Sequence, residues 1–187
     1  PTEIYTLSLH DALPIFYEGF SQRDRVLLKL MLLFHDIGKG RQKDHSILGR
    51  SIWQKYALKF GIEDGEIVAK LILYHTSMSH VAQREDIYNE NRVLHFASNL
   101  KDKRSLDFLT VLTYCDTGSV GNGTLNKHSL ALLSALYKNT VALFENKMLL
   151  SEAAQRIKKE QILKKNPAFT ELDEGLQKKI FNIETNM

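Results

Sequence analysis

The sequence predicts an all-α protein, a helical bundle, and three observations carry that reading. Its only prolines are Pro1, Pro14 and Pro167, so the stretch 15–166 holds no helix breaker. Apolar residues recur at spacings of three and four, and few segments alternate at period two. The chain has 187 residues and is 43% apolar, enough for one domain to bury a core without disulfide staples.

The elements follow in order. Ser21 is an N-cap with Asp24 at N3, opening a helix through Val26, Leu27, Leu30, Met31, Leu33 and Phe34 that Gly38 and Gly40 end. Asp44 or Ser46 starts a second helix carrying Ile47, Leu48, Ile52, Trp53, Tyr56, Ala57 and Phe60 before Gly61. The Trp53, Tyr56 and Phe60 spacing reads as core. Asp64 starts a third, whose apolar run Leu71-Ile72-Leu73-Tyr74 ends at His75. Thr76 to Glu90 reads as a polar connection with little periodicity. Two helices follow over about 91–101 and 104–117, then a loop at Gly118, Gly121 and Gly123, then a long helix from Lys127 to Asn146. The charged tail from Ser151 reads as two short helices split near Asn166-Pro167.

Composition excludes several function classes. Lys plus Arg is 25 and Asp plus Glu is 22, a net charge of +3. That excludes a strong polyanion binder such as a histone and leaves no expectation of DNA binding, while permitting a phosphate-bearing substrate. The single cysteine, Cys115, excludes a disulfide framework and a Cys-rich zinc module, reads as a buried inert thiol, and fits a reducing, cytoplasmic compartment. The longest apolar run, Val26 to Phe34, is short and broken by Lys29, so no membrane span is expected. There is no Walker A or GxGxxG pattern.

The chemistry concentrates in Phe34-His35-Asp36-Ile37-Gly38-Lys39-Gly40. An imidazole and a carboxylate stand side by side at the end of an apolar helix, where neither is cheap to bury unless paired or bound to a cation. Gly38 lets the backbone turn so that both side chains converge, and Lys39 supplies a cation for an anionic group. Imidazole plus carboxylate suits Mn²⁺, Fe²⁺ or Zn²⁺ better than Mg²⁺.

More donors sit at helix ends: His45 at the start of the second helix, His75 at the end of the third, Asp116 at the end of the fifth. Helix ends converging on a buried ion would give this pattern. A helix-end histidine or lysine can also simply bond the last carbonyls and suit the dipole, whereas the charge of Asp116 opposes it. His80, His95 and His128 read as surface groups or as groups that support the ligands from behind, Lys101, Lys103 and Arg104 as a solvated run, and Asp86 as a loop or cap residue.

The segments HDIGKGRQKDHSILG, LYHTSMSHVAQREDIY and LDFLTVLTYCD resemble the HD metal-dependent phosphohydrolase superfamily. More narrowly they resemble the HD domain of the bacterial PII uridylyltransferase/uridylyl-removing enzymes. The resemblance runs from about Arg25 to Tyr137, and the Gly40-Arg41, Asp44-His45-Ser46, Met78-Ser79 and Arg84-Glu85-Asp86 contexts narrow it.

That resemblance implies a helical HD fold and a phosphodiesterase that removes UMP from a tyrosine of the PII signalling protein. It implies His35, Asp36 and Asp116 as core metal ligands, with His45 and His75 completing a second site. Lys39, with Asp36, would be catalytic, stabilising charge on the phosphoryl group. The divalent metal would be Mn²⁺ first, with Fe²⁺, Mg²⁺ or Zn²⁺ as alternatives. A hydrolase of free nucleotides such as (p)ppGpp or a dNTP would use the same ligands. A non-catalytic helical module with an incomplete metal site is the other alternative.

The organisation expected is three-part. Residues 1–15 resemble a translated sequencing-adapter remnant and read as non-native; 16–146 form the HD domain; 147–187 form a helical tail leading to regulatory ACT domains outside this chain. The superfamily pattern H…HD…D needs a histidine upstream of His35. His10 lies inside 1–15, so the expectation is a fragment lacking its native first ligand.

Overall fold

The computed structural model describes residues 16–41, 44–119, 125–145, 173 and 175–176. Seven helices and no strand occur among them, as the proline-free apolar periodicity implies: α1 (Gln22–Phe34), α2 (His45–Lys59), α3 (Gly65–Tyr74), α4 (Ser77–Arg84), α5 (Glu90–Leu100), α6 (Lys103–Ser119) and α7 (Lys127–Glu145).

Local chemistry sets the starts. Ser21 Oγ accepts from the Asp24 amide at 3.1 Å and donates to Asp24 Oδ2 at 2.9 Å, closing the first turn of α1. Asp44 caps α2 by accepting from the amides of Ser46 and Ile47 at 2.9 and 3.2 Å, which puts His45 on the first turn. Asp64 precedes α3 in a left-handed conformation and caps nothing with its side chain. Its carboxylate instead meets Arg23 Nε at 3.1 Å.

α6 is the central helix. It buries every residue from Ser105 to Thr113 except Asp107 and packs against α1, α3, α4, α5 and α7. Leu28, Met31, Leu71, Ile72, Phe96 and Leu136 close the core around it. Phe16 is buried too, its ring edge-on to Tyr137 at 5.3 Å. α2 and α3 form an antiparallel pair fixed by Trp53, which is fully buried and donates Nε1–H to the Gly65 carbonyl at 2.7 Å.

Several expectations need correction. Thr76 to Glu90 is not a plain connection: α4 occupies Ser77–Arg84, and Met78, Val81 and Ala82 supply a narrow buried stripe. Gly118 lies in the last turn of α6 rather than in a loop. Tyr56 and Phe60 are 46% and 64% exposed, because α2 packs chiefly on α3 and buries only Ser46, Gly49 and Trp53. Cys115 is exposed, lying past Thr113, the last buried residue of α6. The basic run is exposed, as expected, and in addition Lys103 pairs with Asp107 at 2.7 Å and Arg104 with Asp24 at 2.5 Å. The readings of residues 1–15, the 120–124 loop and the tail helices at 151–172 lie outside the described residues.

Candidate metal centre

His35 caps the C-terminus of α1 and His75 the C-terminus of α3. Each ring is held the same way. His35 Nδ1 lies 2.8 Å from the Leu32 carbonyl, and His75 Nδ1 lies 2.8 Å from the Ile72 carbonyl. A carbonyl only accepts, so each Nδ1 carries a proton and each ring turns its Nε2 outward, the atom that can offer a lone pair to a cation.

Asp36 stands between those two nitrogens. Its Oδ2 is 3.3 Å from His35 Nε2, and its Oδ1 is 3.5 Å from His75 Nε2 and 4.0 Å from His45 Nε2. Asp116, from the far end of α6, brings Oδ1 to 3.5 Å from His35 Nε2. His45 Nε2 lies 3.2 Å from His75 Nε2. Two donor groups result, His35/Asp36/Asp116 and Asp36/His45/His75, each with ligand atoms within 4.8 Å of one another. Asp36 belongs to both.

The residues fit a divalent cation. His35 Nε2 and Asp36 Oδ1 are buried and have no hydrogen-bond partner. Leaving such atoms dry costs about 1–3 kcal/mol each, and a cation between them satisfies both lone pairs. α1 and α3 also end here, so the negative ends of two helix dipoles face the same point. The mixed imidazole and carboxylate set suits Mn²⁺, Fe²⁺ or Zn²⁺.

The electrostatics keep Asp36 and His75 in their ligating forms. Burial alone would raise the Asp36 carboxyl, but the hydrogen bond from Lys39 and the charge of that lysine hold it below the ordinary carboxylate range. Lys39 Nζ lies 2.6 Å from Asp36 Oδ2, and that bond raises the lysine in turn, so both stay charged. Burial pushes the His75 imidazole below its ordinary value, which keeps its lone pair free near neutral pH.

Two glycines let the helices close on the site. A Cβ on Gly38 would run into the carbonyl oxygen of His45 and lie 2.9 Å from the His45 Cα. Gly38 thus serves by leaving room for His45 rather than by adopting an unusual turn conformation. A Cβ on Gly49 would meet Ile72 Cγ2 at 3.1 Å, so its absence lets α2 approach α3.

The structure brings together all the residues singled out for this chemistry: His35, Asp36, Lys39, His45, His75 and Asp116. His80, His95 and His128 are exposed and outside both groups. Asp86 is a loop residue that accepts from the Tyr88 amide at 3.0 Å.

A helical domain built around an adjacent His-Asp pair defines a class of protein, and the HD domain family model matches residues 3–101. The chain belongs to that family. Among curated proteins it is similar to the bifunctional uridylyltransferase/uridylyl-removing enzyme of Cereibacter sphaeroides, with 46% identity over 129 residues, 68% of this chain and 14% of that protein. The enzyme of the same name from Ruegeria pomeroyi is 45% identical over 119 residues, 63% of this chain and 13% of that protein. The chain therefore spans a small part of the length of these relatives. No solved structure matches it. The resemblance read from the HDIGKG motif and its surroundings holds.

Proposed function

We propose that this chain carries a metal-dependent phosphodiesterase activity that removes UMP from a tyrosine of uridylylated PII. The observation that supports it most directly is the sharing of Asp36 between two donor groups. The 46% identity to a uridylyl-removing enzyme supports the substrate. Residues 16–146 are the HD unit in this reading, PII is the partner, UMP the product and the cytoplasm the setting. No described helix is long and apolar enough to cross a membrane.

His35, Asp36 and Asp116 would hold one divalent ion and Asp36, His45 and His75 a second. Divalent ions so placed supply Lewis acidity, lowering the pKa of water and neutralising phosphoryl oxygens. Water oxygen bonds to phosphorus, the bond from phosphorus to the tyrosyl oxygen breaks, and the tyrosyl oxygen leaves with a proton.

The protein's own part is preorganisation. Carbonyls of Leu32 and Ile72 fix the rings of His35 and His75, so their lone pairs need no reorientation when charge develops. Lys39 has a side chain 61% exposed while its ammonium grips Asp36, so it holds the carboxylate in place and can still meet a phosphoryl oxygen arriving from solvent.

The test is release of UMP from uridylylated PII by the full chain loaded with Mn²⁺, beside Asp36→Ala. Release that is lost in the variant supports the proposal. Hydrolysis of (p)ppGpp or a dNTP without UMP release would overturn the substrate. A chain that binds metal and hydrolyses none of these would overturn the enzymatic reading in favour of a regulatory module.

A further inference from the structure

A second cavity lies away from the metal centre. It has a volume of about 500 Å³ and is bordered by α2, α3, the end of α5 and the start of α6. α2 and α3, two of the four helices whose ends build the metal centre, also build this cavity, from residues five positions away. Arg50 is five residues beyond His45 on α2, and Lys70 five before His75 on α3. Five residues turn a helix by about 140° beyond one full revolution, so the two features occupy different faces.

The lining is net cationic. Arg50, Lys70, Lys101 and Arg104 face Glu66 and Asp102 there. With Arg104 set aside, three cations stand against two carboxylates, so a positive excess of one remains. Arg104 is committed to Asp24 at 2.5 Å, outside the cavity lining. Asp102 caps the start of α6 through the Ser105 amide at 2.7 Å and stands 3.8 Å from Lys70. Arg50 Nε is buried with no hydrogen-bond partner, and neither Arg50 nor Lys101 has an ion pair among the described residues.

Two features show that this crowding is unfavourable in the free protein. Lys70 donates to the Leu100 carbonyl at 2.6 Å and Ser105 Oγ at 2.7 Å. Burial nonetheless pushes its ammonium below the ordinary range, against the pull of Asp102, and the charge of Lys101 pushes the same way. Lys101 also occupies the C-cap of α5 with φ 72°, a left-handed conformation that favours glycine. A lysine held there, beside another lysine, keeps a positive charge at the cavity rim at the expense of backbone comfort.

We propose that this cavity is a binding site for a small phosphate-bearing ligand, held by Arg50, Lys70 and Lys101 and independent of metal. An oxyanion between these side chains would meet the guanidinium of Arg50, which has no ion pair among the described residues, and relieve the repulsion between the two lysines. The size is that of a small-molecule pocket, and Ile67 and Tyr74 provide an apolar wall for the organic part of the ligand.

The probe is inorganic pyrophosphate, titrated by calorimetry and by amide chemical shifts into the full chain stripped of metal with EDTA. Saturable binding is expected, with shifts clustered at 99–104 and not at 35–39. Arg50→Gln and Lys101→Gly should each weaken it by at least about tenfold, while Asp36→Asn leaves it unchanged. Lys101→Gly relieves the left-handed backbone, so its loss of binding cannot be ascribed to misfolding. Absence of saturation by about 10 mM, shifts confined to 35–39, or undiminished binding in Lys101→Gly would overturn the proposal. Tighter binding of a polyglutamate peptide than of pyrophosphate would also overturn it, marking a protein-docking surface instead.

Discussion

The Nε2 atoms of His45 and His75 stand 3.2 Å apart, one on the first residue of α2 and the other at the cap of α3. His75 has committed its Nδ1 proton to Ile72, so its Nε2 can only accept. The two rings meet because α2 and α3 run antiparallel, locked at the other end by Trp53 and Gly65. Asp36 then faces this pair with one oxygen and His35 with the other. A five-donor centre is thus assembled from the ends of α1, α2, α3 and α6, with one carboxylate common to both halves.

Lys39 grips Asp36, and on the proposed function it would compete with metal for that carboxylate and also serve the substrate, so its removal should separate binding from turnover. Lys39→Gln is expected to hold metal as well as the wild type or better. UMP release should fall by roughly 100-fold, the loss typical of one charge-stabilising donor. Metal titration and steady-state rates on the same samples check this. A matching loss of metal would show that Lys39 acts only by placing the carboxylate.

Gly38→Ala should damage the centre without touching a ligand. Its Cβ would collide with the His45 backbone, so the start of α2 must move and carry His45 away from His75. Overpacking of this kind costs about 1–3 kcal/mol. Thermal denaturation should register that loss, and the variant should hold less metal than the wild type.

Acid should act on stability through Asp24. Burial alone would raise its carboxyl, but hydrogen bonds from Arg104 and Ser21, with the charge of Arg104, hold it below its ordinary 3.8. As pH falls, the unfolded chain takes up this proton before the folded one does. The stabilisation is therefore complete above about pH 4 and is lost as pH drops through the lower folded value. Asp24→Asn should be less stable near neutral pH by about 1–3 kcal/mol and should lack that part of the acid slope. Urea midpoints measured from pH 7 to about pH 2 check both.

Much of this was legible in the sequence where one local signal sufficed. Ser21 and Asp44 precede apolar stripes and do cap α1 and α2, and the His-Asp pair followed by Gly38 and Lys39 marked the centre. α4 was not legible, because eight residues burying only Met78, Val81 and Ala82 look like a polar connection. The spacing of Trp53, Tyr56 and Phe60 gives a helix face but not whether a neighbour covers it, and α2 has one principal neighbour. The cationic cavity joins Arg50, Lys70 and Lys101 from separate elements, a proximity that only tertiary packing creates.

The most direct test is metal content by elemental analysis after Mn²⁺ loading and desalting, for the full chain, Asp36→Asn and His45→Ala. Shared ligation predicts two equivalents in the wild type, about one in His45→Ala, and none retained in Asp36→Asn. A folded wild type that retains no metal, or an Asp36→Asn chain that holds as much as the wild type, would contradict the account at its centre.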